Sequence, residues 1–241
     1  SIENDEQNAK KYIAEIAAAY EELLEIMPDD PVVLMSLVEL YGDVPAEMGG
    51  DPSKAAEYAS RLAGADDLMA CKAHCIIMPE DFDRVGFWEE ILKKKPSDAS
   101  VLEELGKTCM REGKTEKGTE CLEKAMEADP SRTTLLLDIA RHQIMKSRQD
   151  PSIKEDAIAK AIVAVDRFLK TEPIVPLKAY ALGMLARLNY AKGDRSEGDR
   201  FKDEAESLDP YFSKASAIPS ADLFDPPGVF PRHHSYMFRP M

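Results

Sequence analysis

The sequence predicts an all-α protein built from stacked helix pairs. Three observations carry that expectation. Prolines recur at about 34 residues or its multiples, small residues fall where paired helices would cross, and proline sits between apolar-periodic segments or in their first turns. The ruler is Pro28, Pro96, Pro130, Pro173 and Pro210, with gaps of 68, 34, 43 and 37 residues. Sixty-eight is twice 34, and the last two gaps read as 34 with insertions of nine and three residues. A fixed period of this size marks a repeat architecture.

Eleven helices and no strands follow from the pattern. A lone leading helix covers about 5–27. Five pairs come after it: 31–42 with 52–63, 65–77 with 80–94, 98–112 with 115–128, 132–147 with 152–171, and 175–192 with 195–208. Asp51-Pro52 and Asp150-Pro151 put proline in a first helical turn, where its missing N–H costs nothing.

Residues 99–132, ASVLEELGKTCMREGKTEKGTECLEKAMEADPSR, resemble the tetratricopeptide (TPR) consensus. Leu102, Leu105 and Gly106 fall at repeat positions 4, 7 and 8, and Gly113 marks the turn. Gly118 stands in for the usual alanine at position 20, and Leu122, Ala125 and Pro130 take positions 24, 27 and 32. Gly or Ala at a crossing lets two helix backbones approach to about 8 Å. Residues 176–210 match at Leu182, Gly183, Ala205 and Pro210, with extra length at 190–194. Residues 133–173 match at Leu136, Ile139 and Ala140, with extra length at 147–151. Residues 65–96 supply Leu68, Cys71, Cys75, Trp88 and Ile91 but place Lys72 where a small residue is expected, and 31–64 supply Leu34, Leu37 and Tyr41 before a loop, 44–52, breaks the register. The resemblance covers about 5–210. It implies a right-handed α-α superhelix of about five TPR-like helix pairs, forming one repeat domain over 1–210.

Composition sets outer limits. The 241 residues are 44% hydrophobic and 32% charged, with a net charge of −14. No basic field exists to release counterions from a nucleic acid or to hold an anionic membrane surface. No run approaches the roughly 18 apolar residues of a spanning helix. Four cysteines in a chain this long do not make a disulfide framework, so free thiols in a reducing compartment are expected, and the cytoplasm with them. The opening SIENDEQNAKK lacks signal-peptide features and an initiator methionine, which fits a processed form or a fragment and leaves a removed leader open.

Candidate chemistry is sparse. Cys71-Lys72-Ala73-His74-Cys75 has the wrong order for haem attachment. Two cysteines four apart share a helix face, so half of a metal site is geometrically feasible, yet the same positions face the partner helix, where a thiol serves as a small apolar residue. His233-His234 has no neighbouring acid or cysteine that completes a zinc set. His74 and His142 stand alone in their segments, and no phosphate loop, nucleophile elbow or H-E-x-x-H motif occurs. The expectation is therefore no catalytic residue, no metal, no cofactor and no enzymatic activity.

In the resembled family the first helix of each pair lines a concave groove, with positions 2, 5, 9 and 12 projecting into it. Those positions select Met35, Lys107, Met110, Leu137, Arg141, Ile144, Tyr180, Met184 and Arg187 as the partner-binding groove, alongside Val32, Glu39 and Glu103. Position 5 holds Glu103, Leu137 and Tyr180, so the family's carboxylate clamp is absent. An apolar helix or extended segment of another protein, oriented by an acidic group against arginine, suits what remains. The expected function is an interaction scaffold or adaptor. The alternatives are a regulatory or targeting repeat domain of a larger enzyme, and a metal- or small-molecule-binding module.

Residues 211–241 differ from the body: three bases against two acids, five prolines, and six aromatics. Disordered tails are poor in aromatics. This segment is expected to pack as a cap on the last pair, with the groove of its own or a neighbouring chain as the other destinations.

Overall fold

The computed structural model describes residues 2–64 and 66–209. Among them are eleven α-helices and no strands: α1 (Ile2–Ile26), α2 (Pro31–Asp43), α3 (Pro52–Leu62), α4 (Asp67–Ile77), α5 (Arg84–Lys94), α6 (Ala99–Arg111), α7 (Thr115–Ala128), α8 (Leu135–Gln149), α9 (Lys154–Leu169), α10 (Val175–Lys192) and α11 (Arg195–Leu208). The protein is all-α, and four of the five expected hairpins form close pairs, α2/α3, α6/α7, α8/α9 and α10/α11; the expected close pairing of α4 with α5 does not form, because α4 packs on α2 and α3 instead. The tail expected to form a cap lies outside the described residues.

Aspartate side chains cap five of these helices. Asp30, Asp51 and Asp98 each accept from two amides of the turn they open, and Asp66 and Asp194 from one. Each such cap satisfies amides that a helix start leaves without intrahelical partners. In the 44–52 loop a short 3-10 turn, Ala46–Met48, replaces the regular hairpin turn. A second 3-10 turn, Pro151–Ile153, takes up the insertion before α9, with the Asp150 carboxylate capping Ser152.

Among the described residues the helices pack as two compact units, one ending at Glu90 and one beginning at Ile91, the division falling within α5. In the first, α2, α3 and α4 pack on one another, and α1 packs on α2. Leu34, Leu37, Val38, Ala55, Leu62 and Ala73 form its dry centre. Glu21 fastens α1: its carboxylate accepts from Tyr41 Oη at 2.9 Å, Lys54 Nζ at 2.9 Å and Tyr58 Oη at 3.1 Å. Burial, together with the hydrogen bond to this carboxylate, pushes the Tyr58 phenol up to about 12.

The second unit holds three close hairpins, α6/α7, α8/α9 and α10/α11. Leu122, Ala140, Ala161, Phe168, Leu185 and Leu188 are buried in one continuous core between them. The second helices of the first two hairpins are also tied laterally, Arg167 of α9 gripping both oxygens of Glu123 on α7.

The α6/α7 crossing is tighter than alanine permits. A Cβ at Gly118 would lie 2.6 Å from Met110 Cγ, 2.8 Å from the Gly106 carbonyl oxygen and 3.1 Å from the Met110 amide nitrogen. Alanine gains about 1 kcal/mol of helix propensity over glycine. Overpacking costs about 1–3 kcal/mol, and here two of the three obstructing atoms are backbone. Gly118→Ala is therefore expected to lose about 1 kcal/mol net in urea unfolding. A stability gain would show that the two helices separate freely.

Candidate functional site

One polar strip crosses the first helices of all three hairpins in the second unit. It starts before α8, where Arg132 donates to Glu103 of α6 and, at 2.7 Å, to Ser100 Oγ. Glu103 also accepts from Lys107 at 2.5 Å, one helical turn away. Lys107 Nζ lies 3.7 Å from Asp138 of α8, and Asp138 accepts from Arg141 Nη1 at 2.7 Å. Arg141 Nε then donates to Tyr180 Oη of α10 at 3.2 Å, with its guanidinium 5.3 Å from the ring centroid. Cation and acceptor alternate from α6 to α10.

Burial and pairing compete along this strip. Burial alone would raise the Glu103 carboxyl, yet Lys107 and Arg132 outweigh it and hold the group below its ordinary value. Burial works to lower Lys107, and the charges of Asp138 and Glu103 reverse that and raise it. Arg141 behaves likewise, with Tyr180 and Asp138 overcoming its desolvation. Arg187, one α10 turn beyond Met184, is pushed down by burial, with Tyr180 acting the other way. Lys107, Arg141, Tyr180 and Arg187 are half-buried, each with part of its side chain at the surface.

The five apolar residues of the expected groove are placed differently. Met110, Leu137, Ile144 and Met184 are buried in the core of the second unit, and Met35 in that of the first. An alanine at Met184 therefore tests core packing, and Tyr180 is the member of that pair with reachable surface. Sequence reasoning left Asp138 and Arg132 out of the groove. Asp138 is signalled by its i,i+3 spacing to Arg141. Arg132 sits in a turn, and no spacing rule reaches it.

The other candidates resolve into packing. His74 lies 5.4 Å from Phe82 and 5.1 Å from Phe87, centroid to centroid, with Trp88 against Phe87. Arg84 seals the α4–α5 turn by donating to the carbonyls of Cys75 at 2.9 Å and Met78 at 2.7 Å. Cys75, Cys109 and Cys121 are buried and Cys71 is half-buried. His142 is 2% exposed, with Nε2 3.1 Å from Thr115 Oγ1. Among the described residues no group of three or more His, Cys, Asp or Glu side chains is arranged to hold a metal ion, and no helix is long and apolar enough to cross a membrane. His233 and His234 lie outside the described residues.

No family model matches the chain, and no curated protein matches it. Among solved structures, a crystal structure of MamA protein aligns with 89% of this chain and 92% of that chain, at 14% identity and a TM-score of 0.39.

Proposed function

We propose that this chain is a protein-binding scaffold whose second unit presents the face of α6, α8 and α10 to a helix or extended segment of another protein. The observation that carries the reading is the strip Arg132–Glu103–Lys107–Asp138–Arg141–Tyr180. Stacking three hairpins does not require charge. Well-packed apolar residues would join the same helices at least as firmly, because partly buried ions lose hydration that their pairing only offsets. A charged strip half open to solvent is instead suited to recognition, where correct partners replace water and wrong ones leave charges uncompensated.

Lys107, Arg141, Tyr180 and Arg187 are the proposed contacts, with Met110, Leu137, Ile144 and Met184 forming the floor beneath them. An acidic group of the partner meets Arg141 and Arg187, and the Tyr180 ring supplies apolar contact. The chain carries out no chemistry of its own in this reading, and its net charge of −14 gives it no role on nucleic acid.

Capture from a native lysate tests this, comparing the unaltered chain with a Tyr180→Ala, Arg187→Gln variant. A specific polypeptide is expected to be retained about tenfold less by the variant, a difference of about 1.4 kcal/mol. Helix content by circular dichroism should stay unchanged. Equal retention by both chains would remove this face as the binding surface.

A further inference from the structure

α1 has two apolar stripes, and among the described residues the first unit covers only one. Ala17 and Leu24 are buried and Ile13 and Tyr20 half-buried, with Glu21 fastened to α2 and α3 beside them. Next to that stripe run Tyr12, Ile16, Ala19, Leu23 and Ile26, all exposed; Ile26 is 77% exposed and Tyr12 63%. Their spacing is four, three, four, three. That is the alternation of a coiled-coil seam, which stays straight along a helix only when another helix packs against it. At 1.5 Å per residue the seam is about 21 Å long.

Charge selects the occupant. Glu15 and Glu22 are exposed along the edge of the seam that faces away from the buried stripe, and Lys11, at the start of that edge, lies 3.7 Å from Glu15. From Glu15 to Asp30 the segment carries six acids and no base. A second copy of α1 would bring the same acids against these in an antiparallel pair, with Lys11 the one base on that edge to offset them. In a parallel pair it would find Ile13 and Tyr20 opposite them, already engaged by the unit. An anionic bilayer is repelled by the same edge.

We infer that the outer face of α1 is a docking seam for an amphipathic helix of another protein, one with Lys or Arg flanking its apolar stripe. The cationic flank pairs with Glu22 and competes with Lys11 for Glu15, while apolar side chains interdigitate with Tyr12, Ile16, Leu23 and Ile26. The surface rests on α1 alone and shares no residue with the strip on α6, α8 and α10.

The test uses the full chain and two synthetic helices with identical leucine–isoleucine heptads. One carries Lys and Arg at the flanking positions and the other carries Glu. Fluorescence anisotropy is expected to show the basic helix binding at least about tenfold tighter than its acidic twin, and weakening as salt rises from about 50 to about 300 mM. Ile16→Ser with Ile26→Ser should cost at least about tenfold in affinity with unfolding midpoint and helix content unchanged, since both side chains already face solvent. Arg187→Gln should leave this binding intact, which separates a failure here from a failure of the proposed groove. Equal binding of both helices, or indifference to the double serine variant, overturns the seam. So does a chain dimer in sedimentation velocity that the serines abolish, which assigns the seam to a second copy. Binding that emerges only after removal of residues 211–241 assigns it to the chain's own tail and also overturns the proposal.

Discussion

Asp138→Ala is expected to lower stability by about 3 kcal/mol in urea unfolding at neutral pH. The Asp138 side chain is only 7% exposed, and it neutralises Arg141 at 2.7 Å and Lys107 at 3.7 Å. Without it, Arg141 loses its carboxylate and faces Lys107, which keeps Glu103 at 2.5 Å; both cations hold about a quarter of their surface in water. Breaking a buried pair from one side costs about 3–5 kcal/mol, and residual solvent puts this case at the lower end. A triple variant, Lys107→Met, Asp138→Leu and Arg141→Met, separates recognition from fastening. Apolar replacement of a whole buried ion set is close to neutral or stabilising. The triple variant should return to within about 1 kcal/mol of the unaltered chain while retaining less partner. If it stays as unstable as the single alanine, the strip fastens the helices and the recognition reading loses its support.

Acid is expected to destabilise the protein through His142. Burial pushes this imidazole down to about 4, with Lys146 adding to the effect and Glu116 opposing it. In the unfolded chain the same group titrates near 6.5. As pH falls below 6.5 the unfolded state takes up a proton that the folded state refuses, so the equilibrium moves toward unfolding. The loss starts near pH 6.5, is complete near pH 4, and totals about 3 kcal/mol. Carboxylates titrate in the lower part of that window, so the informative quantity is the difference between the unaltered chain and His142→Leu. The variant forfeits the 3.1 Å contact with Thr115 at every pH. It should nevertheless show a flatter curve between pH 6.5 and 4. Parallel curves would mean that the ring is protonated inside the fold.

Much of this architecture is legible in the chain because its signals are local. Proline and capping aspartate mark helix starts through groups only two or three residues away, so Pro31, Pro52, Asp98 and Asp194 announce α2, α3, α6 and α11 without tertiary information. Where the local signal is weak the boundary moves. Thr134 makes no side-chain cap, and α8 begins at Leu135 rather than near 132. Gly106 and Gly118 signal a close crossing, but the 2.8 Å clearance to a carbonyl, which makes glycine rather than alanine the required residue, depends on where α7 lies against α6.

The candidate site divides along the same line. The repeat positions of the resembled family marked Lys107, Arg141, Tyr180 and Arg187 on the first helices of their pairs, and helical spacing keeps the members within each helix on one face. Spacing repeats every turn, whereas burial depends on what the next hairpin brings over that turn. Met110, Leu137, Ile144 and Met184 therefore share the periodicity of the polar residues yet lie in the core. Only packing brought Arg132 to Glu103 and Lys107 to Asp138, pairs separated by 29 and 31 positions in the chain. Order along the chain determines helices because their hydrogen bonds span four residues. Charge networks and buried floors join groups that meet only once the helices have stacked, and the tertiary structure alone decides them.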